Sequence, residues 1–174
     1  QGLALEREQL YVADTGNHAL RRIQLRTGQV DTLCGSGRPG DPVEGPLPGG
    51  ARSPLNHPLA LALAANQVYI ASAGDNRIWS CDLGRGELQL RAGTGRLEVT
   101  DGNAKVAAFA QPAGLAAVQQ VLYVCDALGS AVRSLQLRSD LVQTLVGQGP
   151  WEFGDGDGPR SAAHLQHPLG IALS

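Results

Sequence analysis

Three residues stand directly before a proline at a repeating interval: His57 before Pro58, Gln111 before Pro112 and His167 before Pro168. Two imidazoles and an amide at equivalent places offer hydrogen-bonding or metal-binding groups along one arc. A zinc site normally takes at least three good protein ligands, and the middle copy holds glutamine, so these residues by themselves predict no metal. Their functional reading is a polar rim for a ligand or partner. Their structural reading is backbone capping beside a proline. Asp14 and Asp126, which align with Ser72, carry short oxygen-bearing side chains of the kind that hydrogen-bond to backbone amides in turns. Asn17 and His18 belong to the same turn as Asp14. In the string GPWEFGDGDG, Trp151 and Phe153 place two large aromatics in a loop, and exposed tryptophan is enriched among binding anchors.

Other chemistry is poorly represented. The glycine-rich GDGDG at 154–158 lacks the further acidic ligands that a calcium loop needs. GSGRPG at 35–40 is not followed by GKS or GKT, so it is no phosphate loop. No GxSxG, HExxH or paired-carboxylate arrangement stands out, and no cofactor is implied. Arg21-Arg22 reads as a solvated strand edge. Cys34, Cys81 and Cys125 have no CxxC spacing. Their aligned counterparts are all apolar, so they are expected to pack as small buried hydrophobes. Free buried thiols lean toward a reducing, cytoplasmic compartment. Trp79 takes the place held by Arg21 and Arg133 in the other copies, which predicts a partly solvated position.

The bulk properties bound the partners. A formal charge of −2 with a single lysine, Lys105, is no footprint for nucleic acid. No run of 18 apolar residues exists, so no membrane-spanning helix is expected. No signal peptide is visible, although the chain opens inside a repeat. Aromatics make up 4% of 174 residues, so the core must be built from Leu, Val, Ile and Ala.

What must position these residues is a repeat. The strings YVADTGNHALRRIQL, YIASAGDNRIWSCDL and YVCDALGSAVRSLQL, starting at Tyr11, Tyr69 and Tyr123, align without a gap. Each copy reaches a glycine 24 residues after its tyrosine: Gly35, Gly93 and Gly147. Fixed internal spacing means one supersecondary unit used several times. Within the second copy, four short β-like runs cover 59–65, 67–72, 77–83 and 87–93, bounded by Gly, Asn and Asp. The connections are too short for parallel crossovers, so the runs are expected to form an antiparallel meander. Four such strands per repeat with no helix predict an all-β chain of propeller blades. The segment 103–117 could be misread as a helix, but Pro112 and Gly114 interrupt it and allow only a short turn. With prolines at strand starts, blade 1 spans 1–57, blade 2 spans 58–111, blade 3 spans 112–167, and 168–174 begins a fourth. Long connections at 35–57, 93–111 and 147–167 hold EG at 44–45, DG at 101–102 and GDGDG. Alternation of turns places them on the same face as the turns 14–18, 72–76 and 126–130.

The string LYVADTGNHALRRI (10–23) resembles the NHL repeat, with Asn17 and His18 at its first two signature positions and Leu20 one place late. A P-x-G-I/L-A start (112–116 and 168–172), the Y-V-A-D strand and a T-L-x-G-x-G ending (32–37 and 144–149) belong to the same pattern. Asp75-Asn76 and Gly129-Ser130 depart from it in the other copies. The resemblance implies a β-propeller, generally of about six blades. The long blades look most like the NHL region of proteins that carry a thioredoxin-like domain upstream. Three blades and one strand cannot close a ring, so further blades are expected, and the isolated piece is expected to associate.

The functional expectation is a non-catalytic scaffold that binds a protein or a small ligand at the loop face, through His57, Gln111, His167, Trp151, Phe153, Asn17 and His18. The rival is a metal-dependent lyase or hydrolase propeller, with His57 and His167 as ligands at the channel mouth. RNA binding, known for some NHL domains, is disfavoured by the charge.

Overall fold

The computed structural model describes residues 2–40, 55–147 and 149–173. The EG pair at 44–45 and most of the first long connection lie outside the described residues. Blade 1 is built from β1 (Leu3–Glu6), β2 (Gln9–Asp14), β3 (Ala19–Gln24) and β4 (Gln29–Gly35). Blade 2 follows with β5 (Pro58–Ala64), β6 (Gln67–Ser72), β7 (Arg77–Asp82) and β8 (Leu88–Ala92). A two-residue strand, β9 (Gly102–Asn103), precedes blade 3: β10 (Pro112–Val118), β11 (Val121–Asp126), β12 (Ala131–Gln136) and β13 (Leu141–Val146). Each blade is a four-stranded antiparallel meander in chain order. Among the described residues the only helical turn is a 3-10 turn at Thr15–Asn17.

Local sequence dictates the meander. Pro58 and Pro112 open β5 and β10, where a missing N–H is tolerated. The repeated glycine has a steric cause. Gly35, Gly93 and Gly147 have φ of 114°, 109° and 102°. A Cβ at any of them would run into the backbone where the third strand of its own blade begins, at His18–Ala19, Asn76–Arg77 and Ser130–Ala131. All three third-to-fourth strand pairs carry a bulge at one place: between Leu20 and Arg21, Ile78 and Trp79, and Val132 and Arg133. A bulge re-aims side chains, and here it sits on the residue that will matter below.

The core lies between blades. Tyr11, Leu20 and Cys34 of blade 1 pack with Leu61, Ile70, Trp79, Cys81 and Leu88 of blade 2. Tyr69, Ile78 and Ala92 of blade 2 pack with Leu122, Val124, Leu135 and Val142 of blade 3. Each large aliphatic buried there contributes about 1.5–3 kcal/mol. All three cysteines are free and buried, as their apolar counterparts predict. Cys34 and Cys81 meet across the blade 1–blade 2 core, and the hydrogen bond to Cys34 holds the Cys81 thiol below its ordinary range.

Trp79 corrects its expectation, because it is wholly buried. The inference from aligned arginine fails since Arg133 is wholly buried too; an arginine there is held by an ion pair, Arg133 to Asp126 and Arg21 to Asp14. The expected strand at 168–174 also differs. Residues 168–173 carry no assigned strand. They follow the path of an innermost strand, with Gly170 packed near Gly114 and its carbonyl oxygen 3.4 Å from the Cys125 Sγ. The inner strands β5 and β10 take their ladder from the second strand of their own blade, and among the described residues no strand pairs with 168–173.

Candidate functional site

The turns between second and third strands meet the long connections at the blade junctions. His18, Asn76 and Ser130 occupy one repeat position and all adopt left-handed backbone, with φ of 48°, 54° and 47°. His57, Gln111 and His167 occupy another, also left-handed, with φ of 47°, 63° and 46°. The two sets are hooked together. The His57 backbone N–H donates to His18 Nδ1 at 3.1 Å. The Gln111 N–H donates to Asn76 Oδ1 at 2.9 Å. On the other side, the His57 and Gln111 carbonyls accept from the N–H of Ala73 and Ala127, each at 3.1 Å. The pre-proline residue is thus pinned by one blade at its amide and by the next blade at its carbonyl.

The side chains of these residues divide accordingly. His18 is buried, and its ring meets the exposed His57 ring edge-on at 4.5 Å. Burial, helped by His57, pushes the His18 imidazole below its usual value, which keeps Nδ1 free to accept. His57 and His167 are exposed and Gln111 is half-buried. Among the described residues no hydrogen bond or ring contact links the three to one another, and no group of three or more His, Cys, Asp or Glu is placed to hold a metal. Asn17 is exposed and donates from Nδ2 to both carboxylate oxygens of Asp14 at 3.0 Å.

Sequence reasoning missed the strongest polar node at these junctions. Arg133 Nη1 donates to Asp126 Oδ2 at 3.2 Å and to the Ala108 carbonyl at 3.0 Å. Its Nη2 donates to the Thr100 carbonyl at 2.9 Å and to Asp101 Oδ1 at 2.8 Å. The guanidinium carbon also lies 5.2 Å from the Phe109 ring centroid. Asp101 further accepts from the Thr144 N–H at 2.9 Å and the Thr144 hydroxyl at 2.8 Å. The connection leaving blade 2 therefore clasps blade 3, and β9 extends the blade 3 sheet by pairing with β13. Burial opposes the charge on Asp101, but the Thr144 hydrogen bonds and Arg133 outweigh it and hold the carboxyl below its usual range. For Asp126, burial wins over Arg133 and the Ala110 N–H, and its carboxyl is pushed up to about 6.

Blade 2 replaces both members of this pair. Ser72 stands for the aspartate and Trp79 for the arginine. Ser72 Oγ accepts from the Asn56 N–H at 3.1 Å, as Asp126 does from Ala110 at 2.7 Å. Trp79 Nε1 donates to Asp75 Oδ2 at 3.1 Å. In blade 1 the ionic pair returns, with Arg21 Nε donating to Asp14 Oδ2 at 2.9 Å and Nη1 donating to the Thr32 hydroxyl. The spacing of seven residues from Asp14 to Arg21 and from Asp126 to Arg133 was a readable signal.

Trp151 and Phe153 lie on the third connection and are 88% and 53% exposed. That connection is internally braced, since the Gly154 N–H donates to the Leu165 carbonyl at 3.3 Å and the His164 N–H to the Gly156 carbonyl at 2.9 Å. Counting from Gly93 and Gly147, Trp151 corresponds to Leu97, Phe153 to Val99 and Asp155 to Asp101. Leu97 remains 57% exposed although its connection is clasped to a blade, whereas Val99 packs toward Gly129 of that blade. Apart from these junctions, the innermost strands line an open, mostly apolar cleft of about 390 Å³ that includes Leu59, Leu115 and Ile171.

No family model matches the chain. It is 35% identical over 184 residues to Protein SUPPRESSOR OF QUENCHING 1, chloroplastic, of Arabidopsis thaliana, a match covering 98% of this chain and 17% of that protein. It is 34% identical over 200 residues to NHL repeat-containing protein 2 of Homo sapiens, covering 98% of this chain and 27% of the relative. The chain thus spans about a quarter or less of the length of these curated relatives. Among solved structures it is similar to a Bacteroides thetaiotaomicron VPI-5482 protein of unknown function, with a TM-score of 0.74 and 23% identity over 98% of this chain and 41% of that one. It is also similar to an auxiliary nutrient binding protein of Bacteroides ovatus ATCC 8483, with a TM-score of 0.72 and 20% identity over 94% of this chain and 40% of that one. At those identities the structural likeness speaks to fold alone. Repeat pattern, blade architecture and these near-full-length similarities agree that the chain belongs to the NHL-repeat β-propeller family.

Proposed function

We propose that this chain is a non-catalytic propeller scaffold that holds a protein partner at its loop face, with Trp151 as the anchor. The observation that carries this reading is the exposure of Trp151, 88%, at a position whose counterpart Leu97 stays exposed when its connection is clasped. A tryptophan that inter-blade packing does not bury has an unused apolar area, and such residues are favoured as interface anchors. Phe153 corresponds to a residue that packs on the following blade, so it belongs to blade packing before partner binding. His57, Gln111 and His167 contribute a polar rim beside the anchor, while Asn17 and His18 serve the rim by fixing its backbone. The similarity to parts of much longer relatives supports a place within a larger chain. A thioredoxin-like domain upstream is the affiliation the resemblance suggests, and the propeller would then be its scaffold half.

The test compares immobilised wild-type chain with Trp151→Ala and Val106→Ala in capture from cell extract. Val106 is a control of similar exposure, at 59%. A protein retained by wild type and by Val106→Ala but lost with Trp151→Ala is the expected result. Equal retention by all three would remove Trp151 as anchor. Thermal stability of Trp151→Ala should stay within about 0.5 kcal/mol of wild type, since the side chain is exposed.

A further inference from the structure

The junction of blades 1 and 2 carries two cysteines on facing strands. Cys34 lies on β4 of blade 1 and Cys81 on β7 of blade 2. Both are wholly buried in one core cluster, which also holds Leu20, Trp79 and Leu88. The Cys81 thiol is hydrogen-bonded to Cys34, so the two sulfurs meet across the junction. The junction of blades 2 and 3 has the equivalent pair, Ala92 and Leu135, again in one cluster. Cysteine therefore replaces both members of one repeated contact. It does so in opposite senses of size, larger than alanine at one position and smaller than leucine at the other. Packing as a small hydrophobe explains each cysteine singly, but it asks for no such match between the two. Cys125 supplies the contrast. Its Sγ lies 3.4 Å from the Gly170 carbonyl oxygen, and burial pushes its thiol up.

We propose that Cys34 and Cys81 form a disulfide between blades 1 and 2 when a hydroperoxide oxidises the chain. Cys81 is the attacking residue, because the contact with Cys34 makes its proton easier to lose and the thiolate is the nucleophile. Its sulfur takes one oxygen of hydrogen peroxide as the O–O bond breaks, giving a sulfenic acid, and the other oxygen leaves as water. The Cys34 sulfur then attacks the Cys81 sulfur. The S–O bond breaks, and the departing hydroxide leaves as a second water with the Cys34 proton. Two thiols are oxidised by two electrons in all, and one peroxide is reduced to two waters. Hydrogen peroxide is close to water in size, so it needs a smaller opening of the junction than a bulky disulfide oxidant does. The new bond closes a loop over residues 34–81, which includes His57 of the polar rim. It fastens the junction that the His57–His18 hook already crosses.

The full chain is treated with hydrogen peroxide under native conditions. Remaining thiols are alkylated in denaturant, and tryptic peptides are mapped without reductant. The three cysteines fall on separate peptides, 27–52, 78–85 and 106–133. The expected product links 27–52 to 78–85 within one chain, is undone by dithiothreitol, and leaves Cys125 alkylated. The linked chain should melt at a higher temperature than the reduced chain, because the bond constrains the unfolded state. Cys34→Ala, which installs the residue that blade 2 holds at position 92, should remove both the link and the melting shift. Cys125→Ala, matching Ala13 and Ala71, should keep both. If Cys34→Ala fails to fold, the peptide maps of wild type and Cys125→Ala decide the matter. Alkylation of both Cys34 and Cys81 after peroxide treatment overturns the proposal. So does a link that forms only in denaturant, that involves Cys125, that joins two chains, or that lowers the melting temperature.

Discussion

At the scale of single residues, the name-giving histidine of the repeat acts here as a hydrogen-bond acceptor between blades. His18 Nδ1 holds the His57 N–H, and Asn76 Oδ1 does the same for Gln111 one blade on. The internal comparison supplies a substitution. His18→Asn should preserve the hook, since asparagine tolerates left-handed backbone and already fills the role at position 76. His18→Ala should cost about 1 kcal/mol by removing the acceptor of a part-buried hydrogen bond. The two forms differ in pH dependence. The folded-state pKa of His18 is lowered, so below the ordinary histidine value of 6.5 the unfolded chain binds the proton more readily. Its contribution is complete above 6.5 and is lost as pH falls through the depressed folded value. Asp126 runs the opposite way. With its carboxyl raised to about 6, the folded chain holds that proton more tightly, and stability from this group falls as pH rises from about 4 to 6. Urea denaturation at several pH values below 6.5, run on wild type and His18→Asn, isolates the histidine because Asp126 is common to both. A shallower loss of stability on acidification in His18→Asn is expected. Parallel profiles would mean that the ring is not the titrating acceptor.

At the scale of elements, the clasp from connection to blade explains how the second long connection is held. Asp101 joins three donors on two strands of the next blade, and β9 adds two residues to its sheet. Asp101→Ala should therefore destabilise the chain by about 1–2 kcal/mol, because the carboxylate is itself 49% exposed and partly screened, and Arg133 keeps its buried partner Asp126. Asp101→Asn should recover part of that, keeping an acceptor for the Thr144 amide. Thermal unfolding of the two variants checks the order, and equal losses would mean that charge alone matters. The sequence made the strands readable, because turn glycines, strand-opening prolines and β-branched runs act locally. Gly35, Gly93 and Gly147 announced their turn by spacing alone. The clasp stayed hidden because Asp101 and Arg133 are 32 residues apart and belong to different repeats, so an alignment of repeats sets each beside its own counterparts and never beside its partner. Trp79 misled for a related reason. Arginine at an aligned position signalled solvent, while in the fold the bulge turns that position into the junction. The exchange of Asp–Arg for Ser–Trp in blade 2 is intelligible only when both strands and the Asp75 turn are seen together.

At the scale of the molecule, the blades differ in how much of each is covered, and this sets where the chain opens first. Three of the four residues of β1 are exposed, and β4 has only Cys34 and Gly35 buried. The central strands β6 and β7 have five and four buried residues out of six. Repeats stacked in a row derive stability from their own packing and from the interfaces with their neighbours, and among the described residues blade 1 packs against blade 2 while blade 2 packs against both blade 1 and blade 3. Amide hydrogen exchange should therefore be fastest in β1 and β4 and slowest in β6, β7, β11 and β12, with each segment opening at its own free energy. Uniform exchange across all three blades would instead mean that the chain opens as one cooperative unit, with the blade 1 edge as stable as the interior despite its exposure.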